Sequence, residues 1–251
     1  MEKLLLLIIL FSLAIFACSI KPINDQKNLT KAQQILNNSI TAHGGKAYDN
    51  AHYKFEFRNK QYSFKNIKKS YTYQVDKIAD DGSVIKDILE NGTITRKIND
   101  QKQDLTIKEA NAISGGLNSV IYFATLPHKL NDKAANVAYI GQKKVKNVLY
   151  EVIEVTFDKE GGGKDYDDEF YYWINNETNL IDYLAYNYQV GTGGVRFRSA
   201  YNKRNIAGIT FQDYINYKAP LGTPLSELPS LYERDKLIEL SRIETENITK
   251  I

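Results

Sequence analysis

The chain is poor in the residues that carry most covalent and metal chemistry. It has one cysteine, Cys18, in 251 residues. No disulfide can close within it, and a thiolate-held structural zinc is excluded. Its three histidines, His43, His52 and His128, form neither an HxH nor an HExxH pair, so a histidine-held metal has no motif to support it. There is no GxSxG elbow, Walker loop or dinucleotide fingerprint, and Gly191-Thr192-Gly193-Gly194 reads as a turn. A scattered Ser–His–Asp set stays open, with nothing pointing to it. A surplus of one charge is missing too. Lys and Arg number 33 against 30 Asp and Glu, a net +3 spread along the chain, whereas a nucleic-acid surface shows a basic stripe. No cofactor, no metal and no nucleic-acid partner are therefore expected.

Only one long apolar run occurs, Leu4 to Phe16, broken by Ser12. It is too short to span a bilayer comfortably and has the length of a signal-peptide core. It ends in Ile15-Phe16-Ala17-Cys18, which resembles the bacterial lipobox. The resemblance implies cleavage after Ala17 and diacylglycerol on Cys18, with more than one acyl chain giving stable anchoring. A plain secretory signal with a chance cysteine, or an uncleaved anchor, are the alternatives. Ser19 stands where an aspartate would favour inner-membrane retention, so the expected location is the outer membrane, facing the periplasm. The expected division is a signal over 1–17, a lipidated tether over 18–27 and a single domain over 28–251.

The remaining residues are enough for one domain with a real core, and the whole chain is 43% hydrophobic and 25% charged. Tyrosine stands out, with 18 residues against 10 Phe and 1 Trp, and it favours strands with one wet side. Apolar residues at helical spacing predict a helix over 28–42, stopped by His43-Gly44-Gly45. The period then changes to two around Tyr53–Phe57 and Ser70–Lys77. Asp81-Gly82 and Asn91-Gly92 are hairpin signals that predict strands over 84–90 and 93–98. A helix is expected over 105–126, broken by Ser114-Gly115-Gly116 and closed by Pro127, then six strands over 136–143, 148–157, 169–174, 180–190, 195–201 and 206–218. A charged terminal helix is expected over 231–248. No βαβ alternation appears, which disfavours doubly wound and TIM-barrel folds.

Several segments resemble known proteins. Ala42-His43-Gly44-Gly45 ahead of a strand, Tyr139-Ile140-Gly141-Gln142 leading into Tyr150–Phe157, and Tyr172-Trp173-Ile174-Asn175 before a turn look like the LolA-like lipoprotein-carrier superfamily. Asp158–Tyr166, Gly193–Arg198 and Phe211–Tyr214 are similar to an uncharacterised family of envelope lipoproteins, DUF6503. The resemblance implies an α+β fold: a strongly curved antiparallel sheet, a half-barrel, with helices on its concave side and a C-terminal helix. It also implies an apolar cavity in that sheet.

Within that frame, Asp182 and Asp213 fall in apolar rows of their strands, and a buried carboxylate needs a partner. Arg196 and Arg198 share one strand face and are the expected partners. The set is either a polar patch that orients a ligand headgroup or a structural ladder. Tyr171, Tyr172, Trp173, Tyr183, Tyr186 and Tyr188 crowd one hairpin, either to line a cavity or to pair across strands. The candidate ligand-binding residues are thus Tyr172, Trp173, Asp182, Tyr186, Tyr188, Arg196, Arg198 and Asp213. The acidic glycine-rich stretch with Gly161, Gly162, Gly163 and Asp165 reads as a solvated hairpin loop, a cation or anion site, or a flap over the cavity mouth. The expected function is to bind a lipid or other amphiphile, as a membrane-anchored monomer. The alternatives are a hydrolase-like enzyme using the Asp–Arg group and a structural or sensory partner of another envelope protein.

Overall fold

The structure is a computed structural model that describes residues 29–159, 168–189 and 191–251. Helix α1 (Lys31–His43) opens it. Thr30 caps α1 by accepting from the Gln33 amide at 3.2 Å, and the Gln33 side chain accepts from the Thr30 amide at 3.0 Å, a reciprocal box that satisfies two otherwise orphaned donors. Its stripe of Ala32, Ile35 and Leu36 is buried. At its end Gly44 takes φ 138°, and a Cβ there would lie 2.9 Å from the Gly208 carbonyl oxygen. Gly44→Ala should therefore cost about 1–3 kcal/mol, read as a lower urea midpoint with an unchanged slope.

Six strands follow as a meander: β1 (His52–Phe57), β2 (Lys60–Ile67), β3 (Ser70–Ile78), β4 (Val84–Glu90), β5 (Thr93–Ile98) and β6 (Gln101–Gln103). Helix α2 (Ile107–Ala124) then crosses over, capped by Thr106 and Glu109 through the same box. A second series runs β7 (Ala135–Val145), β8 (Val148–Phe157), β9 (Phe170–Asn175), β10 (Ile181–Tyr188), β11 (Gly194–Ile206) and β12 (Ile209–Ala219). The chain ends in a short helix α3 (Leu228–Glu233), β13 (Ile238–Ile243) and β14 (Glu246–Lys250).

All pairings are antiparallel. They form two seven-stranded sheets, ordered β14-β1-β2-β3-β4-β5-β6 and β13-β12-β11-β10-β9-β8-β7. The α+β reading therefore holds, and the curved antiparallel layers carry α1 and α2 on their inner side. The sheet is divided into two, however, and the terminal helix over 231–248 is corrected. Only Leu228–Glu233 is helical, and the rest forms β13 and β14. The reason is tertiary. β12 and β1 would otherwise present open edges, and β13 pairs with one and β14 with the other, so edge pairing overrides the local preference of a charged Leu- and Ile-containing segment.

Three apolar clusters fill the molecule. The first joins Tyr53, Phe55, Phe64 and Tyr73 of the first sheet to Leu117 and Ile121 of α2 and to Phe211 of β12. The second packs Ile35 and Leu36 of α1 on Ile153, Tyr172, Leu184 and Tyr214. The third lies on the other face of the second sheet, where Leu225 and Leu228 cover Trp173, Val195 and Phe197. Among the described residues these clusters and the strand pairings above all lie within 29–251, so a chain starting at Ser19 carries every one of them. The third cluster also explains why β10 is apolar on both faces. The segment around α3 covers its outer side, so no ligand is needed there.

Candidate functional site

A half-open cavity of about 220 Å³ lies where the two sheets meet beneath α2. Val120, Phe123 and Ala124 of α2 form its roof, Phe57 and Arg58 its rim, and Ile243 one wall. Its floor is a row on β11 and β12: Arg198, Gln212, Tyr214 and Asn216. Gln212, Tyr214 and Asn216 are spaced by two along β12, and Arg198 stands directly opposite Asn216, so strand alternation puts all four on one face.

Arg198 dominates the electrostatics of this space. Its side chain is buried, with only 7% of the residue exposed. One terminal nitrogen donates to the Tyr186 hydroxyl at 2.8 Å, and the guanidinium carbon lies 3.9 Å from the centre of the Phe123 ring. Its Nε has no hydrogen-bond partner among the described residues, and no ion pair of Arg198 occurs among them. A cation–π contact offers about 0.5–2 kcal/mol and a charge-assisted hydrogen bond about 1.5–3 kcal/mol. The effective desolvation of a buried ion is several kcal/mol, so the charge is left incompletely compensated. Two further orphaned atoms line the same cavity, Gln212 Oε1 and Asn216 Oδ1. Gln212 is fixed in orientation because its Nε2 donates to the Ile181 carbonyl at 2.8 Å and to the Tyr214 hydroxyl at 2.7 Å. Burial pushes the Tyr214 phenol up to about 12, so it stays a neutral donor and acceptor.

The expected Asp–Arg pairing is not what the fold makes. Asp213 accepts from Arg204 at 3.0 Å, from Asn202 at 2.6 Å and from the Thr245 amide at 3.0 Å. Asp182 accepts from Lys203, from the Tyr150 hydroxyl at 3.1 Å and from Asn175 at 2.9 Å. Register explains both corrections. Asp213 sits opposite Tyr201 while Arg198 sits opposite Asn216, which places the two on opposite sheet faces. A bulge between Ile181 and Tyr183 turns Asp182 toward Tyr150 on the outer side. Arg196 instead donates to the Tyr188 hydroxyl at 2.5 Å and to the Val195 carbonyl at 3.1 Å. The four residues named for a hydrolase-like centre are thus dispersed.

Of the aromatic candidates, Tyr172 and Tyr186 lie on the cavity side. Tyr172 exchanges a hydroxyl bond of 2.9 Å with Tyr122 of α2, and burial drives its phenol well above the ordinary range. Tyr186 approaches Phe123, with ring centres 5.7 Å apart. Trp173 faces the other way and packs edge-on against Phe197 at 5.8 Å. Tyr188 borders a separate depression beside Gly194 and Leu221. Cys18, Gly161, Gly162, Gly163 and Asp165 lie outside the described residues. Sequence reasoning missed Phe123, Gln212 and Asn216. The one available signal was the polar pair at 212 and 216, two strand periods apart and therefore on one face of the strand.

The family that matches the chain, over residues 9–245, is DUF6503, described as a family of unknown function. The chain belongs to the DUF6503 family. A LolA-superfamily protein from Nitrosomonas europaea has a similar structure, with a TM-score of 0.50 at 12% identity, covering 88% of this chain and 94% of that one. A DUF1329-family protein from Desulfovibrio piger is similar at a TM-score of 0.42 and 13% identity, covering 88% and 94%. No curated protein sequence matches the chain. The first of these likenesses gives this DUF6503 member a LolA-like fold; at such identity the fold is all it gives.

Proposed function

We propose that this DUF6503 protein is an envelope lipoprotein that binds one amphiphile in the cavity beneath α2. The observation that carries this reading is the cavity's mixed lining, with the apolar Phe57, Val120, Phe123 and Ile243 beside the polar Arg198 and Asn216. Its 220 Å³ exceeds the roughly 150 Å³ that holds a benzene ring and falls short of the roughly 300 Å³ at which drug-sized pockets begin. It therefore suits a short chain or one end of a longer one. Anchoring through Cys18 to the outer membrane, behind a signal over 1–17 and a tether over 18–27, belongs to the same proposal and rests on the lipobox-like segment. The fold, shared with a LolA-superfamily protein, is in keeping with it. A docking role toward another envelope protein is the second reading and rests on the exposed Ile107 and Leu221.

Native mass spectrometry of the chain from Ser19, expressed in its own host and followed by solvent extraction, tests the proposal. One bound amphiphile per chain is the expected result. An empty protein that also takes up no fluorescent fatty acid would leave the docking role in its place.

A further inference from the structure

We propose that the cavity takes its amphiphile head-inward, and that the headgroup is a carboxylate seated on Arg198. This rests on the amphiphile-binding reading and names its ligand class. A cavity that held only an acyl tail would be expected to have an apolar floor. This one has a floor built of Arg198, Gln212, Tyr214 and Asn216, beside Ile243, with Phe57, Val120, Phe123 and Ala124 supplying apolar surface, and the cation at its rim, Arg58, is exposed to solvent. Arg198 is more than nine-tenths buried and keeps an unpartnered Nε, among the described residues. Its ring contact with Phe123 and its bond to Tyr186 hold the guanidinium in place without neutralising it. A buried cation so placed is a prepared anion site.

The geometry favours a carboxylate over other headgroups. Arg198 lines the cavity with a planar guanidinium, which matches a two-oxygen planar anion, and its buried Nε–H is a donor without a partner among the described residues. Across the strand pair from it, Asn216 has one amide atom orphaned and the other only 3.4 Å from the Ser241 hydroxyl. Because the two amide ends are interchangeable against a hydroxyl, Asn216 can turn its N–H toward the second carboxylate oxygen. A quaternary ammonium would meet the guanidinium charge and be repelled. A neutral alcohol would leave the charge uncompensated. The chain would then run along Val120 and Ile243 and leave past Phe57.

The test compares decanoate, decan-1-ol and decyltrimethylammonium by calorimetric titration into the chain from Ser19. Decanoate is expected to bind about tenfold or more tighter than decan-1-ol, the range of one charge-assisted hydrogen bond or more, and the ammonium weakest. Arg198→Met should equalise acid and alcohol. The Arg198 Hε proton signal should shift on adding decanoate and not on adding decan-1-ol, a readout that needs no variant. Alcohol and acid binding equally in the wild type, or an unmoved Hε signal, would overturn the headgroup assignment and leave amphiphile binding standing. Binding of none of the three probes would sink both.

Discussion

Asp213→Ala is expected to destabilise the protein by about 3–5 kcal/mol, the range found when one partner of a buried ion pair is removed. Asp213 is 2% exposed. Its Oδ1 accepts from Arg204 at 3.0 Å and from the Thr245 amide and hydroxyl at 3.0 and 3.2 Å, and its Oδ2 accepts from Asn202 at 2.6 Å. Thr245 lies in the link between β13 and β14, where the chain passes from the edge of one sheet to the edge of the other. Arg204 also donates to the Thr245 hydroxyl at 2.9 Å and to its carbonyl. Truncating the carboxylate leaves a half-buried guanidinium, the Thr245 amide and hydroxyl and the Asn202 side-chain amide without their shared acceptor. Urea unfolding of wild type and variant measures the loss. Asp213→Asn, which keeps the size and one acceptor, should lose less. A loss under about 1 kcal/mol for the alanine variant would show that the link holds without this carboxylate.

Stability should also fall by about 3 kcal/mol between pH 7 and pH 4 on account of His43 alone. His43 is fully buried and accepts from the Ile181 amide through Nε2 at 3.1 Å. Burial lowers it from 6.5 to about 4; the Thr210 backbone and Asp182 oppose that shift, and Lys203 adds to it. The folded state therefore keeps His43 neutral where the unfolded chain would protonate it. The contribution is fully present above pH 6.5 and drains away as pH falls to about 4. Desolvation lowers His52 and His128 as well, with the same sign. Glu154 is raised by its own desolvation and by Glu169, and acid would relieve that strain, partly offsetting the trend. His43→Gln retains an acceptor for Ile181 and should flatten the profile between pH 6.5 and 4, whatever its effect at pH 7. A profile equally steep in the variant would place the pH dependence elsewhere.

Much of the frame was legible because it is local. Apolar spacing places two helices over 28–42 and 105–126, and Asn91-Gly92 fixes a hairpin whose strands, Val84–Glu90 and Thr93–Ile98, fall where the pattern put them. The bidentate pair of Arg96 with buried Asp87, at 2.6 and 2.7 Å, belongs to the same hairpin, because a two-residue turn at Asn91-Gly92 sets 87 opposite 96. What the pattern does not carry is which face of that hairpin the rest of the fold buries. The candidate site shows the same division. Arg198 could be singled out from the alternation of its strand, and its partners could not. One bulge at Ile181–Tyr183 and one choice of register on β12 decide which side chains face it, and a shift of a single residue would reverse every face.

The sequence by itself determined the first two helices, the Asn91-Gly92 hairpin and the apolar run ending at Cys18, because each depends on residues within a turn or two of one another. Only the tertiary structure decided that the last segment would be strand, that the carboxylates would turn away from Arg198, and that α2 would roof a cavity over a buried cation. Those outcomes depend on which edges and faces distant strands leave open, and long-range pairing settles them against the local preference of the residues involved.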